Sequence, residues 1–341
     1  MDRGGMAQVG PCGAIDLGGT KIEARLFDAG MATLATRRIP TPAGDAAALV
    51  GAIVAQVRWL EQRAGDPALP VAVAMAGLID PASGVATAAN LAIDGHCPAP
   101  MLARALGRPV PLVNDCMAFA WSEAQGGAGA GARSVLGLVI GTGIGAGLVC
   151  EGRLAPRHAG LAVEIGHVGM PARALARHGL APAPCGCGRA GCHEAHLAGP
   201  ALARLAVVVG FAPDPSHPSA DPAAIAAAAA AGEGGAARVM ALWADLAGEM
   251  LCTAQLMLDP EVIVLGGGLS NIPGLPAMLS EALARLRLGT ARAPRILVAQ
   301  HGDSSGARGA ALLARAGLVD GRLAGAVGAV GAVGAIGGGA C

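Results

Sequence analysis

Two stretches of the chain repeat one plan: an apolar strand, a glycine-rich turn and a returning apolar strand. The first covers residues 12–27 with its turn at 18–21, and the second covers residues 134–150 with its turn at 141–147. Segments with helical spacing and further apolar strands follow each of them. This repetition predicts an α/β fold built from two related units with a central cleft between them.

Length and local composition suggest where the two units end. A chain of 341 residues has room for two domains of ordinary size. We predict an N-terminal α/β domain over residues 1–125 and a C-terminal α/β domain over residues 126–320, with a last helix that packs back on the first domain. The glycine-rich stretch 126–131 is the predicted hinge. Residues 321–341 repeat Gly-Ala-Val, and their glycine content favours a low-complexity extension over a membrane anchor.

The charge balance argues against two classes of partner. Acidic and basic residues are equal at 24 each, so nothing directs the chain toward nucleic acid or an anionic membrane. The first 13 residues contain no long apolar run, and most cysteines lack pairing-like spacing. Both observations favour free thiols in a reducing cytoplasm over a disulfide framework. The scattered cysteines are Cys12, Cys97, Cys116, Cys150, Cys252 and Cys341.

The other three cysteines, Cys185, Cys187 and Cys192, fall within eight positions. Thiolates this close together bind a soft tetrahedral ion, and the glycines among them let the backbone curl so that all three sulfurs face one point. They leave one position of a zinc tetrahedron open, and upstream His167 is the best candidate to fill it. The pattern predicts a structural zinc site, although a reduced, metal-free cluster would have the same sequence.

Further polar groups surround the predicted metal site. Glu164 and Glu194 add two carboxylates, and the second nitrogen of a zinc-bound His167 would face outward as an oriented hydrogen-bond partner. One alternative stays open. The glutamates could be solvated surface charges, with His193 as the fourth ligand, although its place directly beside Cys192 would strain a shared chelate.

Both glycine-rich turns could hold phosphate. Their glycines allow successive backbone N–H groups to approach phosphate oxygens with no Cβ in the way. Neither turn matches the P-loop, and the second leads into another strand rather than into the helix that a dinucleotide fingerprint opens. Either turn alone could be an ordinary tight turn. Together, with Asp16 available to a magnesium-bound water, they favour a nucleotide.

Asp115 follows an apolar strand directly, at the mouth of the predicted cleft. Phosphoryl transfer to an alcohol needs a carboxylate that accepts the hydroxyl proton. An aspartate at this position could also be the N-cap of the following helix, and the two roles are compatible. Asn114 beside it offers a donor and an acceptor to a polyol. This pair is therefore the candidate catalytic centre.

Six motifs in one order give the chain a specific resemblance. They are Asp16-Leu-Gly-Gly-Thr-Lys21, Asn114-Asp115, Gly141-Thr-Gly-Ile-Gly, Glu164-Ile-Gly-His167, Cys185-x-Cys187-Gly-x-x-Gly-Cys192-x-Glu194 and Gly266-Gly-Gly. Over residues 13–316 the chain resembles the ROK family of bacterial sugar kinases. The resemblance implies a two-domain actin-like ATPase fold of the ribonuclease H-like class with a zinc-binding loop. It also implies ATP and Mg²⁺ in the central cleft and, commonly, a homodimer.

The site residues of the family carry over position by position. By resemblance, Asp115 is the general base, and zinc is held by His167, Cys185, Cys187 and Cys192. The implied sugar-binding residues are Gly77, Asn90, Asn114, Glu164, His167 and Glu194. The implied nucleotide-binding residues are Asp16, Gly18, Gly19, Thr20, Lys21, Gly141, Thr142, Gly143, Gly266, Gly267 and Gly268.

The resemblance also narrows the reaction. It implies ATP-dependent phosphorylation of the 6-hydroxyl of a hexose. The sugar loop at 90–95 lacks the tryptophan of the family's fructokinases and a glycine separates Cys185 from Cys187, so N-acetyl-D-glucosamine is the favoured substrate. A fructokinase, a glucokinase and a non-catalytic sugar-sensing protein stay open as alternatives. A repressor of the same family is not expected, because only a short leader precedes Asp16.

One position departs from the family pattern. The sequence Ala74-Met-Ala-Gly77 stands where the family has Gly-x-Pro-Gly, so Ala76 replaces a proline. Because proline restricts the backbone, its loss is expected to loosen the sugar loop.

Overall fold

The structure is a computed structural model, and it describes residues 10–319 and 322–323. Contacts group these residues into two compact units. Unit 1 consists of the residues up to 122, residues 153–162 and the residues from 304 onward, and unit 2 consists of residues 123–152 and 163–303. The predicted tail lies outside the described residues apart from 322–323, and the predicted domain limits stay a prediction.

Unit 1 is built on a five-stranded mixed sheet and a separate short hairpin. Its strands are β1 (Cys12–Leu17), β2 (Lys21–Phe27), β3 (Thr33–Pro40), β4 (Val71–Met75), β5 (Leu78–Ile79), β6 (Ala86–Thr87) and β7 (Leu112–Asn114). The sheet order is β3-β2-β1-β4-β7, and β5 pairs with β6. Because β1, β4 and β7 are parallel, their carboxyl ends lie at one edge of the sheet.

Three helices alternate with these strands along the chain: α1 (Ala46–Ala64), α2 (Pro98–Leu106) and α3 (Asp115–Ala124). α1 begins where the Asp45 carboxylate accepts a hydrogen bond from the Ala48 N–H at 2.9 Å, and it ends at Gly65 in the left-handed conformation. Its apolar face, which includes Leu49 and Ile53, is buried in the core of unit 1.

Unit 2 contains a second mixed sheet. Its strands are β8 (Ser134–Ile140), β9 (Ile144–Cys150), β11 (Val262–Gly266) and β12 (Arg295–Val298), and the short strand β10 (Arg153–Leu154) falls in the segment 153–162 that is grouped with unit 1. β8 pairs antiparallel with β9 and parallel with β11, which pairs parallel with β12. In both units, the first strand of an antiparallel hairpin pairs with a parallel strand. β1 pairs with β4 in unit 1, and β8 pairs with β11 in unit 2. This is the duplicated plan that the sequence predicts.

The helices of unit 2 surround one long, buried helix. They are α4 (Ala172–Arg177), α5 (His193–Leu197), α6 (Gly199–Val208), α7 (Pro222–Ala230), α8 (Gly234–Leu258) and α9 (Leu275–Ala284). Trp243 in the middle of α8 is fully buried, and its indole Nε1 donates a hydrogen bond to the Leu197 carbonyl at 2.9 Å. The bond satisfies a buried donor and ties α8 to the end of α5.

The last helix of the described chain, α10 (Ser305–Arg315), belongs to unit 1 and packs against β1 and β4. Gly309 allows it to approach α3 closely, because a Cβ at this position would lie 1.8 Å from the Ala118 carbonyl oxygen. A small hairpin of β13 (Leu318–Val319) and β14 (Arg322–Leu323) follows. A helix from the far end of the sequence therefore completes the first unit.

The stretch 126–131, which the sequence predicts as a hinge, packs within unit 2 as an ordered turn. The Glu123 carboxylate accepts a hydrogen bond from the Ala128 N–H at 2.9 Å, and a Cβ on Gly127 would lie 2.4 Å from the same carboxylate. These contacts replace the expected linker with a packed segment. Cys12, Cys150 and Cys252 are free thiols, as predicted, whereas Cys97 is disulfide-bonded, so the prediction of a free thiol is wrong at that position. None of the helices in the described part of the chain combines the length and apolar character needed to cross a bilayer.

Candidate active site and metal centre

Two buried carboxyl groups, which we call the acidic pair, lie in unit 1. Asp16 is the next-to-last residue of β1, and Asp115 follows β7 as the first residue of α3. Burial, together with the negative charges of Asp115 and Glu23, raises the pKa of Asp16 to about 6. Burial also raises the pKa of Asp115. A carboxylate whose pKa lies nearer neutrality is a better proton acceptor, so the acidic pair has the character of a catalytic centre.

A charged network stands beside the acidic pair. Glu23 lies directly opposite Asp16 across the β1–β2 pair and opposite Arg38 across the β2–β3 pair. It is 5% exposed and forms ion pairs with Arg25 and Arg38, while Arg25 also donates to the Ser304 hydroxyl at 2.5 Å. Burial raises the pKa of Glu23, but the hydrogen bonds from both arginines outweigh this and hold it below its usual range. The sequence analysis missed this network, although a strand with Glu and Arg two positions apart carries both on one face.

Asn114 makes most of the helix-capping hydrogen bonds that the sequence analysis expected of Asp115. Its side-chain oxygen accepts hydrogen bonds from the N–H groups of Cys116 at 3.0 Å and Met117 at 3.1 Å. Its amide nitrogen donates to the Gly77 carbonyl at 3.1 Å. Asp115 accepts from the Cys116 N–H at 2.8 Å. Asn114 therefore holds both the start of α3 and the backbone at Gly77, and its side chain also forms a hydrogen bond with Asp115.

The first glycine turn is closed on itself and clamped by a threonine. The Gly18 N–H donates to the Lys21 carbonyl at 3.0 Å. Thr41 donates twice, from its hydroxyl to the Gly18 carbonyl at 2.7 Å and from its N–H to the Thr20 carbonyl at 3.0 Å. Because Thr41 follows a strand that carries no recognisable motif, the sequence analysis did not single it out. It is a positioning residue for the turn.

The predicted sugar loop of unit 1 meets this turn. A Cβ on Gly19 would lie 3.1 Å from the Cβ of Asn90, so the loop packs directly on the glycine turn. Gly77 has a φ of 152°, and a side chain there would lie 2.8 Å from the Thr87 carbonyl oxygen. The Ala76 N–H donates to the Leu17 carbonyl at 3.2 Å. Proline could not make this bond, so the departure at position 76 adds a tie between the loop and β1.

The second and third glycine motifs lie together in unit 2. The turn that joins β8 to β9 is shorter than the predicted 141–147 and spans only 141–143, because β9 already begins at Ile144. The Gly199 N–H donates to the Gly141 carbonyl at 2.8 Å. Gly267, with a φ of 79°, packs on the end of β8 so closely that a Cβ would lie 2.5 Å from the Ile140 carbonyl oxygen. This close packing brings Gly268 beside Gly141, where the predicted phosphate and adenosine segments meet.

A cavity of about 590 Å³ opens at this meeting point. Its wall includes Gly141, Thr142 and Gly268 from the predicted motifs, together with Pro200 and the loop 215–218. Such a volume and a largely apolar wall suit one small-molecule ligand. The loop 215–218 has no motif, and its role becomes visible only once the fold brings it to the glycines.

The four predicted zinc ligands come together. The ligand atoms of His167, Cys185, Cys187 and Cys192, which we call the ligand cluster, all lie within 4.8 Å of one another. The sulfurs of Cys187 and Cys192 are 3.6 Å apart, and the sulfur of Cys185 is 3.6 Å from His167 Nδ1. Zn–S bonds of about 2.3 Å place neighbouring sulfurs about 3.8 Å apart in a tetrahedron. The donor set and its spacing therefore fit a structural zinc ion.

The alternative in which His193 is the fourth ligand is wrong. The side chain of His193 is fully buried, and its Nδ1 lies 2.9 Å from the Ile165 carbonyl, to which it donates. Although His193 directly follows Cys192, its side chain cannot reach the ligand cluster, because α5 begins at His193 and turns the side chain toward the core. Glu164 begins the short 3₁₀ turn that carries His167 and accepts its N–H at 3.0 Å.

Glu194 connects the cysteine motif with the second glycine turn. One carboxylate oxygen accepts a hydrogen bond from the Ile144 N–H at 2.8 Å, and the other lies 3.7 Å from the sulfur of Cys185. The alternative of a solvated surface glutamate therefore does not hold for Glu194. Its carboxylate stands between the ligand cluster and the second glycine turn.

The sequence matches a known family over almost the whole described chain. The family model described as ROK family matches residues 12–317. The chain belongs to the ROK family.

Curated relatives of this ROK chain include two kinases of N-acetylated sugars. One is the N-acetylgalactosamine kinase AgaK of Shewanella sp. (strain ANA-3), which is 35% identical over 300 residues, covering 88% of this chain and 95% of the relative. Another is the N-acetyl-D-glucosamine kinase of Escherichia coli O9:H4 (strain HS), which is 36% identical over 301 residues, covering 87% and 97%.

Solved structures of the family share the fold of this ROK chain. The ROK family glucokinase from Streptomyces griseus in complex with glucose and AMPPNP has a TM-score of 0.72 and 30% identity, covering 90% of this chain and 99% of that one. The actin-like ATPase fold that the resemblance implied is thereby confirmed.

Proposed function

We propose that this ROK chain is an ATP-dependent sugar kinase that phosphorylates the 6-hydroxyl of a hexose, with N-acetyl-D-glucosamine as the first candidate substrate. The observation that carries the proposal is Asp115, a buried carboxyl with a raised pKa whose helix-capping duty falls largely to Asn114. It is free to accept the hydroxyl proton as the phosphoryl group arrives. The two curated relatives are named as kinases of N-acetylated sugars, which supports a sugar kinase.

The remaining residues would bind and orient the two substrates. The two glycine turns offer backbone N–H groups to phosphate oxygens, and the carboxylate of Asp16 is the ligand type that Mg²⁺ prefers. When bound, magnesium-ATP supplies the phosphoryl group and the metal neutralises its charge. The cavity beside Gly268 has room for the adenosine. Solvent-side atoms of His167, Glu164 and Glu194 would contact the sugar, with the zinc ion holding His167 in place.

The preference for an N-acetylated hexosamine rests on the relatives and on the sugar loop. Both relatives are named as kinases of such sugars, and the two sugars differ in the configuration of one hydroxyl group. N-acetyl-D-galactosamine therefore belongs in the same test as N-acetyl-D-glucosamine. The fructokinase and glucokinase alternatives become outcomes of that test.

A coupled assay of ADP release tests the proposal. The purified chain with magnesium-ATP is offered N-acetyl-D-glucosamine, N-acetyl-D-galactosamine, N-acetylmannosamine, glucose, mannose and fructose in turn. We expect the highest kcat/KM with N-acetyl-D-glucosamine. Equal or higher kcat/KM with glucose or fructose would replace the substrate proposal and leave the kinase proposal standing.

Asp115→Asn is the decisive variant. Loss of the general base is expected to lower kcat about 10²–10⁴-fold, while sugar binding, followed by calorimetry, persists. Near-normal turnover of this variant would refute the assignment of Asp115. Sugar binding without turnover in the unmodified chain would favour the non-catalytic sugar sensor.

A further inference from the structure

The second glycine turn is held from one side by Glu194. The Ile144 N–H, directly after the turn, donates to a Glu194 oxygen at 2.8 Å. Gly143 is packed against the same carboxylate, since a Cβ there would lie 2.7 Å from it. A turn that would bind phosphate therefore rests on a side chain whose position is set elsewhere.

The same turn is held from the other side by the segment that carries His167. Gly166 packs on the backbone of Ile144 so closely that a Cβ would lie 2.2 Å from the Ile144 carbonyl oxygen. Both polar backbone groups of Ile144 thus face residues beside the ligand cluster: its carbonyl meets Gly166, next to His167, and its N–H meets Glu194, two residues after Cys192.

One of the two ligand-bearing segments carries His167 and the other carries Cys192. Few backbone hydrogen bonds join these two segments to each other. The His193 N–H donates to the Val168 carbonyl at 2.9 Å, and the Met170 N–H donates to the Gly191 carbonyl at 2.7 Å. The two remaining ligands are Cys185 and Cys187, and the residues 186–190 around them are exposed. A metal ion would cross-link these segments at four points, and such cross-links remove conformational freedom from the segments that they join.

We propose that metal binding at the ligand cluster is coupled to nucleotide binding at the second glycine turn, and that Glu194 is the positioning residue that carries the coupling. The inference rests on the proposed function in that the turn is taken to hold ATP phosphates. It adds to the sugar contact implied for Glu194 a second role, directed at the other substrate. Metal loading would fix Glu194 and Gly166, and these would hold Ile144 and the turn ready for phosphate.

Calorimetric titration with the non-hydrolysable analogue AMPPNP and Mg²⁺, in the absence of sugar, tests the coupling. Leaving out the sugar keeps the sugar contact of Glu194 from entering the result. Zinc-loaded and zinc-stripped forms are compared for the unmodified chain and for Glu194→Ala. Removal of zinc is expected to weaken AMPPNP binding at least about fivefold in the unmodified chain and less than about twofold in the variant.

Two further variants separate positioning from general damage. Glu194→Gln keeps an oxygen that can accept from the Ile144 N–H and should retain the coupling. Glu164→Ala removes a carboxylate from the same wall without touching the Ile144 N–H, and it should retain the coupling as well. If Glu164→Ala abolished the coupling as completely as Glu194→Ala, the assignment to Glu194 would be wrong.

The reciprocal measurement covers the case in which the stripped chain unfolds. Coupling between two ligands is symmetric in binding free energy, so AMPPNP should lower the share of zinc that a competing chelator holds at equilibrium in the unmodified chain and not in Glu194→Ala. An equal zinc affinity with and without AMPPNP in the unmodified chain overturns the inference. Failure of the zinc-loaded, unmodified chain to bind AMPPNP at all overturns the kinase proposal itself, so the two failures are distinguishable.

Discussion

Replacing Asp16 by asparagine should stabilise unit 1 while it damages the proposed activity. The carboxyl of Asp16 is buried, and its pKa rises from 3.8 to about 6 because burial and the charges of Asp115 and Glu23 disfavour its ionised form. A rise of about two pKa units, at about 1.4 kcal/mol per unit, corresponds to about 3 kcal/mol. Asparagine has nearly the same shape and no charge, so this is the upper bound of the gain.

The sign of the effect depends on pH. Below about pH 4 the carboxyl is protonated in the folded and the unfolded chain, and ionisation costs the fold nothing. Between about pH 4 and 6 the unfolded chain ionises first, so the free energy of unfolding falls as the pH rises. Above pH 6 the full cost is present. Asp16→Asn should therefore gain most of its stability at pH 7–8 and lose this advantage as the pH falls toward 4.

Urea unfolding followed by circular dichroism between pH 4.5 and 8 measures the effect. Magnesium and nucleotide are left out, because a bound cation would itself relieve the charge, and zinc is retained. Asp259→Asn is the matched control, since its carboxyl is exposed and asparagine also tolerates the left-handed backbone at this helix end. A gain of equal size at pH 4.5 and 8, or no gain at pH 8, would refute the argument from buried charge.

Three other results are expected. The kcat/KM should decrease as the pH falls through about 6, because the pKa of Asp16 lies there and protonation of Asp16 removes a proposed cation ligand; a flat profile from pH 5 to 8 would contradict this. Gly143→Ala should raise the KM for ATP about tenfold or more, because its Cβ would lie 2.7 Å from the Glu194 carboxylate, whereas Gly169→Ala, with open space around it, should leave KM unchanged. Cys187→Ser should weaken zinc binding by at least about tenfold and raise the sugar KM more than it lowers kcat; mass spectrometry of the dialysed protein that shows full zinc content would refute the ligand assignment.

The elements that the sequence predicts well are those with a recognisable pattern among residues that are close together in the chain. Val71–Met75 and Ser134–Ile140 are unbroken apolar runs and are strands in the structure. The ligand cluster is also local, because three of its four members lie within eight positions. By contrast, β3 is mostly exposed and reads Thr-Leu-Ala-Thr-Arg-Arg-Ile-Pro, with no alternation of apolar and polar residues. No periodicity could have located it.

The contacts that the sequence could not supply depend on register and on packing between distant segments. Glu23 meets Arg38 only because β2 and β3 pair in one particular register. The choice between His167 and His193 as a ligand required the direction in which α5 leaves Cys192. Two neighbouring polar residues look alike in a motif, whereas the start of a helix points their side chains apart.

The return of α10 to unit 1 constrains how a ribosome can deliver this protein. β1, β4 and α3 leave the exit tunnel early, but the helix that packs on them is synthesised only after all of unit 2. The apolar surface of the nascent sheet therefore stays exposed until α10 has been synthesised. Chains with such exposed apolar surface tend to aggregate or to bind chaperones. Gly309 makes the final docking possible without any rearrangement of α3. All of unit 2 precedes α10 in the chain, so unit 2 is synthesised before unit 1 is complete.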